Sequence, residues 1–328
     1  MDRKHVALTR RLLPGALALA LCGAAMAQAD DTPTWAYPVT PPSTTPRPRP
    51  DPAEVLRVPG VEKTFTRSQF DGLFWVPDWR PDDHIPAPES VLRGRKPEVG
   101  ACGYCHLATG DGRVENASVS GLSKAYIIEQ VRQFRDGTRV TSVAGRGPTR
   151  DMIRVAKGVT DADLESAAEY FSRQPHRSYY KVVESRTAPK THITGNTYIR
   201  DVEGGTEPLG RRIIETPDDT ARFEVRDPRA TYTAYVPVGS LAQGKKLAHS
   251  WGPDKALACV SCHGPQLRGV GDVPPLAGRS PSYLVRELAD FRDGARSGPT
   301  AVPMAQVTQG MKNDEMIAVA AYIGSLKP

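Results

Sequence analysis

The sequence predicts a mainly α-helical protein in which two copies of one small domain follow each other, joined by a connector that contains strands. Three observations in the 328-residue chain support this prediction. A five-residue pattern, Cys-x-x-Cys-His, occurs at Cys102–His106 and again at Cys259–His263. The segments after both patterns match at a constant offset of 157 residues. Apolar residues in those segments recur at the spacing of an α-helix.

Two cysteines separated by two residues, with a histidine directly after the second, are typical of covalent haem attachment. The thiols bond to one edge of the porphyrin, and the adjacent imidazole lies beneath the iron as an axial ligand. We therefore predict two haems of the c type, ligated by His106 and His263. The predicted covalent attachment sites are Cys102, Cys105, Cys259 and Cys262.

A Cys-x-x-Cys pair also occurs in zinc sites, in redox-active dithiols and as a disulfide. A four-cysteine zinc site would join two pairs 157 residues apart and would leave both histidines without a role. A thioredoxin-like dithiol needs a βαβ context, which neither pattern has. Haem attachment accounts for all six residues.

The N-terminus has the order of features found in secretory signal peptides. Basic residues precede an apolar run at 12–26, and Ala27-Gln28-Ala29 forms a small-x-small cleavage signal. We expect cleavage after Ala29 and a periplasmic protein, soluble or peripherally associated. No later stretch approaches the roughly 18 apolar residues that a membrane-spanning helix needs.

Cleavage removes four basic residues and one acidic residue, so the formal net charge falls from +6 to +3. Two haems add four propionates, which takes the holoprotein from +3 to roughly −1. Nucleic-acid binding, which needs a clustered basic face, gets no support. Cys22 is lost with the signal peptide, and the four remaining cysteines all lie in the two motifs, so none is left for a structural disulfide.

Composition divides the chain into six segments. A stretch rich in proline cannot bury enough apolar surface to offset the entropy of ordering, whereas short β-branched runs between turn signals predict strands. The predicted segments are 1–29, signal peptide; 30–64, Pro-rich disordered leader; 65–88, aromatic segment packed on the first haem domain; 89–174, first haem domain; 175–238, connector of strands and loops; and 239–328, second haem domain.

Two methionines, Met152 and Met304, are the predicted second axial ligands. They occupy equivalent places in the loop before the last helix of each repeat, where the offset is 152 residues. A thioether opposite the histidine closes the sixth position of the iron and raises its reduction potential. Methionine is more often only a core residue, the role predicted for Met311 and Met316. His176 is an alternative ligand for the first haem.

Several short sequences beside the motifs resemble those of class I cytochrome c. They are Pro274-Pro275-Leu276-Ala277-Gly278, the helix that ends Phe291-Arg292-Asp293-Gly294, Pro303-Met304 and Ala321-Tyr322. The tandem arrangement is similar to the dihaem cytochromes of the c-four type, which carry electrons to terminal oxidases in the bacterial periplasm. The resemblance covers about half of the chain.

The resemblance implies two tandem class I cytochrome c domains in an electron carrier that is not itself an enzyme. It also implies that the Pro274 carbonyl accepts a hydrogen bond from His263 and orients its ring. The first repeat departs from this pattern, reading Ala-Ser-Val-Ser-Gly at 117–121. Its longer loop carries four arginines that are candidates to pair with haem propionates, so we expect the two haems to differ in potential. These are Arg139, Arg146, Arg150 and Arg154.

The expected partners are redox proteins: a terminal oxidase, a dehydrogenase or a small cytochrome. Two alternatives stay open. One is a dihaem enzyme, such as a peroxidase, in which one iron keeps an open or displaceable axial position. The other is the haem subunit of a periplasmic dehydrogenase complex.

Overall fold

The computed structural model describes residues 32–42 and 50–328, so the predicted signal peptide and Cys22 lie outside the described residues. The α-helices are α1 Arg67–Phe70, α2 Glu89–Leu92, α3 Cys102–His106, α4 Lys124–Asp136, α5 Gly147–Gly158, α6 Asp161–Ser172, α7 Thr220–Glu224, α8 Ser240–Ser250, α9 Cys259–His263, α10 Pro281–Arg292, α11 Val302–Thr308 and α12 Asn313–Ser325. The strands are β1 Val55–Leu56, β2 Phe65–Thr66, β3 Tyr180–Glu184, β4 Thr187–Pro189, β5 Thr191–Thr194, β6 Thr197–Arg200, β7 Thr206–Pro208, β8 Ile214–Pro217 and β9 Tyr232–Val236. Within the described ranges, no helix has the length and apolar character needed to cross a membrane.

The two repeats use equivalent helices in the same order. Each Cys-x-x-Cys-His motif forms one short helix, α3 or α9, and the long helix that follows is α4 or α10. Ser123 and Ser280 cap those long helices, because each hydroxyl accepts a hydrogen bond from the backbone N–H three residues further on. Gly137 ends α4 at φ +77°, a left-handed conformation that glycine adopts without strain.

The largest apolar core lies in the second repeat, where α8, α10 and α12 pack together. Met311 and Met316 belong to it and are 2% and 0% exposed, which confirms their predicted packing role. Helices α8 and α12 approach closely at Gly244, where a Cβ atom would lie 1.9 Å from the carbonyl oxygen of Ala318. The core therefore tolerates no side chain at this position.

The two candidate ligand methionines lie on helices, which corrects the predicted loops. Met152 is on α5 and Met304 is on α11. Pro148 and Pro303 stand in the first turn of these helices, where the missing N–H of proline has no intrahelical partner to lose. Proline in the first turn of each helix made both segments resemble loops in the sequence.

The predicted disordered leader is ordered in its described part. Tyr37 is 2% exposed, and its hydroxyl donates to the Asp290 carboxylate on α10 at 2.8 Å. The Tyr198 hydroxyl of the connector donates to the carbonyl of Trp35 at 2.8 Å. Further along, β1 pairs with β2. A few aromatic anchors thus order the described part of the leader, because each buries a large apolar area.

Residues 65–88 contact both the first haem domain and the connector. Phe65 packs edge-on against Trp75 and Trp79, with ring centroids 5.0 and 4.6 Å away. The Trp79 indole donates to the carbonyl of Val225 in the connector at 2.7 Å. Val76 packs with Ala101, just before the first motif.

The connector contains the predicted strands and contacts both haem domains. Its largest sheet has the order β3-β9-β8, with β3 parallel to β9. Glu215 of β8 is buried and accepts from Ser280 Oγ and the Ser282 N–H, each at 3.0 Å, so its negative charge faces the N-terminus of α10. The Arg226 guanidinium lies 3.9 Å from the ring centroid of Tyr104 in the first motif.

The two repeats face each other about a local pseudo-twofold axis. Arg139 and Arg296, equivalent residues, form an antiparallel backbone bridge. Each guanidinium donates to the amide oxygen of Gln130, at 2.8 and 2.6 Å, and each also binds the Glu287 carboxylate. Gln130 and Glu287 are equivalent too, so one carboxylate serves two arginines. Burial acts to raise the pKa of Glu287, but the two guanidinium groups outweigh it and hold that pKa below its ordinary value.

Replacing Glu287 with glutamine should lower the free energy of unfolding of the dihaem protein by about 3–5 kcal/mol, because two nearly buried cations lose the carboxylate they share. Denaturant unfolding measures the change. The double variant Glu287→Gln/Gln130→Glu is the matched control, since it moves the carboxylate to the equivalent position and should recover most of the loss. Equal stability of Glu287→Gln and the wild type would contradict this account.

Asp111 is a buried carboxyl between the first haem domain and the connector. It is 5% exposed, and its Oδ1 accepts from Ser120 Oγ at 3.1 Å. Burial raises its pKa to about 6, although the hydroxyls of Thr109 and Ser120 act in the opposite direction. The folded state therefore binds this proton more tightly than the unfolded chain does.

The free energy of unfolding should consequently fall as pH rises from about 4 to about 6 and level off above that range, because the folded pKa exceeds the ordinary value of 3.8. Over this pH range the free energy of unfolding of the wild type should fall by about 3 kcal/mol more than that of Asp111→Asn. Unfolding curves at a series of pH values measure this difference. Asp136→Asn, at an exposed position, is the control and should leave the pH profile unchanged. Parallel profiles for Asp111→Asn and the wild type would show that Asp111 is not the responsible group.

Candidate haem sites

The two Cys-x-x-Cys-His motifs have the same local geometry. The five-residue helices α3 and α9 place both cysteines and the histidine within little more than one turn. Nδ1 of His106 lies 2.8 Å from the carbonyl oxygen of Ala117, and Nδ1 of His263 lies 2.8 Å from that of Pro274. A carbonyl only accepts hydrogen bonds, so Nδ1 carries the proton in each ring. Nε2 is then the nitrogen left to bind iron.

The geometry at the first site shows that the proline is dispensable for this contact. Ala117 is the equivalent of Pro274, and its carbonyl is at the same 2.8 Å from the imidazole. The donor and acceptor that matter are a ring nitrogen and a backbone oxygen, so the residue type in the turn can change. The departure of the first repeat from the family pattern therefore leaves the imidazole oriented in the same way.

Burial shifts the pKa values of the motif histidines and cysteines, and the four cysteines do not form one metal-binding group. Burial lowers the pKa of His106 and of His263, which favours the neutral imidazole that a metal requires. Burial raises the pKa of the Cys102 thiol to about 12 and that of the Cys259 thiol to about 11. All four motif cysteines are free, and no group of three metal-ligating side chains occurs among residues 32–42 and 50–328. The zinc and disulfide alternatives are therefore not supported.

A cavity of about 180 Å³ adjoins the first motif. It brings Cys102, Cys105 and His106 together with Met152 of α5. Its other walls are largely apolar side chains, which suit the faces of a porphyrin. These include Leu122, Ile127, Val131, Phe134, Leu164 and Phe171.

The second repeat and the leader also line this first cavity. Tyr283, Arg286 and Asp290 reach it from α10, and Tyr37 reaches it from the leader. The Arg286 guanidinium donates to the carbonyls of Ala36 and Val114, at 2.9 and 2.8 Å, and so ties the three segments together. None of these residues was predicted from the sequence to belong to the first site. The available sequence signal was the match of Tyr283 to Tyr126 at the 157-residue offset, and both tyrosines line this cavity.

Three of the four candidate propionate partners line the cavity, and the fourth points to solvent. Arg139 and Arg146 are buried, whereas Arg154 lies at an exposed edge. Arg150 is exposed and is 3.6 Å from Asp151. Burial, followed by the charge of Arg286, lowers the pKa of Arg146 to about 9. Its Nε is buried without a hydrogen-bond acceptor among the described residues, so a negatively charged propionate suits it.

The second site lies against the apolar core of its own repeat. Cys259 and Leu276 pack on that core, His263 is 6% exposed, and Cys262 is exposed. Met304 is half-buried on α11, and its carbonyl accepts from Thr308 Oγ1 at 3.0 Å. Its ligation of the second iron stays a prediction.

His176 is unsuited to the alternative role of first-haem ligand. Its Nδ1 lies 3.3 Å from Ser120 Oγ, and its Nε2 lies 3.2 Å from the carbonyl oxygen of Ala277. Both ring nitrogens are thus engaged away from the cavity lining. Met152, which does line the cavity, is the better candidate.

Comparisons with known proteins agree with this geometry. The family model for cytochrome c matches residues 241–327. The chain is 37% identical over 75 residues to cytochrome c-554(548) of Halomonas halodenitrificans, covering 23% of this chain and 90% of the relative. It is 26% identical over 270 residues to a thiosulfate dehydrogenase electron acceptor of Thiomonas intermedia, covering 81% and 91%. It is also 23% identical over 235 residues to cytochrome c4 of Azotobacter vinelandii, covering 70% and 86%.

The duplicated motifs, the paired imidazole–carbonyl contacts and these relatives lead to one conclusion, which confirms the predicted family and cofactor. The chain belongs to the cytochrome c family and is a tandem dihaem member with covalently bound haem c.

Proposed function

We propose that this protein is an exported electron carrier that works in the periplasm through two haems with histidine and methionine as axial ligands. The observation that carries the proposal is the repeated site geometry, in which each proximal imidazole is oriented through Nδ1 and a methionine occupies a matched helix. The haem irons supply the one-electron redox chemistry when bound.

The side chains around the first site favour carrying electrons over binding a substrate. The Met152 thioether lines the cavity with His106 and would close the sixth position of a bound haem iron, leaving no place for a substrate to bind the iron. The apolar walls of the cavity exclude water, and the carbonyl of Ala117 holds the imidazole in one orientation. A site that changes little between oxidation states suits repeated one-electron exchange.

The two sites differ in ways that give them separate roles. Arg139, Arg146 and Arg286 line the first cavity together with the carboxyl groups of Glu115, Glu287 and Asp290, so a haem there would lie among charged groups of both signs. At the second site Cys262 is exposed, so one edge of a haem held there would lie near the protein surface. We place the exchange with partner proteins at the second site.

The relatives point to the class of electron donor. One relative is named as the electron acceptor of a thiosulfate dehydrogenase. We propose a dehydrogenase of this kind as the donor, and a terminal oxidase or small cytochrome as the acceptor. The protein would then serve the dehydrogenase as a partner, without being an enzyme itself.

The donor assignment is tested by mixing the oxidised protein with thiosulfate dehydrogenase and thiosulfate and following haem absorption. Both haems should become reduced when enzyme and thiosulfate are present, and neither should with thiosulfate alone. Reduction by thiosulfate alone would indicate that the protein is itself an enzyme. No reduction in the complete mixture, with both haems attached, would contradict the proposed donor.

The axial ligands are tested by substitution and absorption spectroscopy. Met152→Ala should remove about half of the far-red band that marks methionine bound to ferric haem, and Met152→Ala/Met304→Ala should remove the rest. Met311→Ala, at a buried core methionine, is the matched control and should lower stability while leaving the band intact. A high-spin haem in the resting wild type would instead support the dihaem enzyme, because it signals an open axial position.

A further inference from the structure

The turns that orient the two proximal histidines are in direct contact with a single side chain. We call residues 117–121 and 274–278 the two proximal turns, since the carbonyls of Ala117 and Pro274 accept the hydrogen bonds from the imidazoles. Arg279 directly follows the second proximal turn. Its guanidinium reaches back to its own turn and across to the turn of the first repeat.

All three donor nitrogens of Arg279 bind backbone carbonyls of these turns. Nε donates to Pro275 at 2.6 Å, Nη1 to Ser118 at 2.9 Å, and Nη2 to Ser120 at 3.3 Å. Pro275 and Ser118 are the next residues after Pro274 and Ala117. Each end of this guanidinium bridge is therefore one residue from the carbonyl that orients a proximal imidazole.

Arg279 brings a positive charge into this junction without a direct ion-pair partner. The residue is 3% exposed, and no acidic group in the described part of the chain lies within ion-pair distance of it. The ionisable groups that face it are Tyr126, Tyr180, Tyr283, Asp111 and His176. An arginine stays protonated in proteins, so the charge persists in this buried position.

The bridge is specific to the junction and is not a requirement of the haem domain. The residue equivalent to Arg279 in the first repeat is Leu122, an apolar side chain in the core of that repeat. A haem domain therefore folds with a leucine here. His176 adds a second link between the turns, through Ser120 and Ala277.

We infer that Arg279 is a positioning residue that couples the two haem sites, because it holds the two proximal turns together and places one buried positive charge beside both. This inference rests on the proposed function. Oxidation adds a positive charge to each iron, and a nearby buried cation opposes that change. The reduction potentials of both haems should therefore be higher with Arg279 than without it.

Redox titration of the dihaem protein tests the inference with Arg279→Met, which removes the charge and keeps a side chain of similar reach. The equilibrium constant for reduction should fall about tenfold at both haems, which corresponds to about 59 mV for a one-electron step. Arg93→Met is the control. It removes the same charge from an exposed ion pair with Glu89, and solvent screening should leave both potentials unchanged.

Arg279→Lys separates the charge from the bridge and remains informative if Arg279→Met fails to fold. Lysine keeps the charge but cannot span three carbonyls, so both potentials should stay near the wild-type values while thermal stability falls. A tenfold fall at both haems of Arg279→Lys would overturn the role of the charge.

The coupling would be overturned if both reduction potentials of Arg279→Met equalled those of the wild type. It would also be overturned if both haems were attached and only one potential changed. A wild type without two reversible reduction steps would instead overturn the proposed function.

Discussion

The hydrogen bond from each proximal imidazole to a turn carbonyl determines how the two haem sites are arranged. It selects the tautomer that leaves Nε2 for the metal and fixes the plane of the ring. The turns themselves are held by backbone bonds that are equivalent in the two repeats. Val119 N–H donates to Gly110 at 2.7 Å, and Leu276 N–H donates to Leu267 at 2.8 Å. Because donors and acceptors are backbone groups, the two turns keep one geometry with different sequences.

The two repeats have diverged where they face each other. Gln130 stands opposite Glu287 across the pseudo-twofold axis, and Leu122 corresponds to Arg279. If both repeats had the residues of the second, the interface would bury two carboxylates with two arginines. If both had the residues of the first, leucine would replace Arg279 and the guanidinium bridge would be absent. The observed pairs leave excess positive charge near the haem sites, which the propionates are suited to balance. Divergence at these few positions places buried charged groups at the junction that both sites share.

A small number of side chains hold the leader and the connector against the haem domains. Tyr37 fixes the leader to α10, Glu215 caps the same helix, and Arg226 covers Tyr104 of the first motif. Composition predicted disorder for the leader, since Pro-rich segments contain few residues that can be buried. Composition averages the properties of a whole segment, whereas the order of the leader depends on single residues and on the pockets in which they are buried.

Features that depend on neighbouring residues could be predicted from the sequence. The motif spacing predicted haem attachment, the 157-residue offset revealed the duplication, and the periodicity located α4 and α10. Helices α5 and α11 were missed because proline is compatible with both a loop and a first helical turn.

The surroundings of the first haem site depend on packing between distant segments. Tyr37 and Asp290 meet across 253 residues of sequence, and no local pattern specifies such a contact. The guanidinium of Arg279 likewise reaches Ser118 across 161 residues. Local chemistry therefore predicts the ligands of each haem, whereas the charges and walls around it arise from packing between distant parts of the chain.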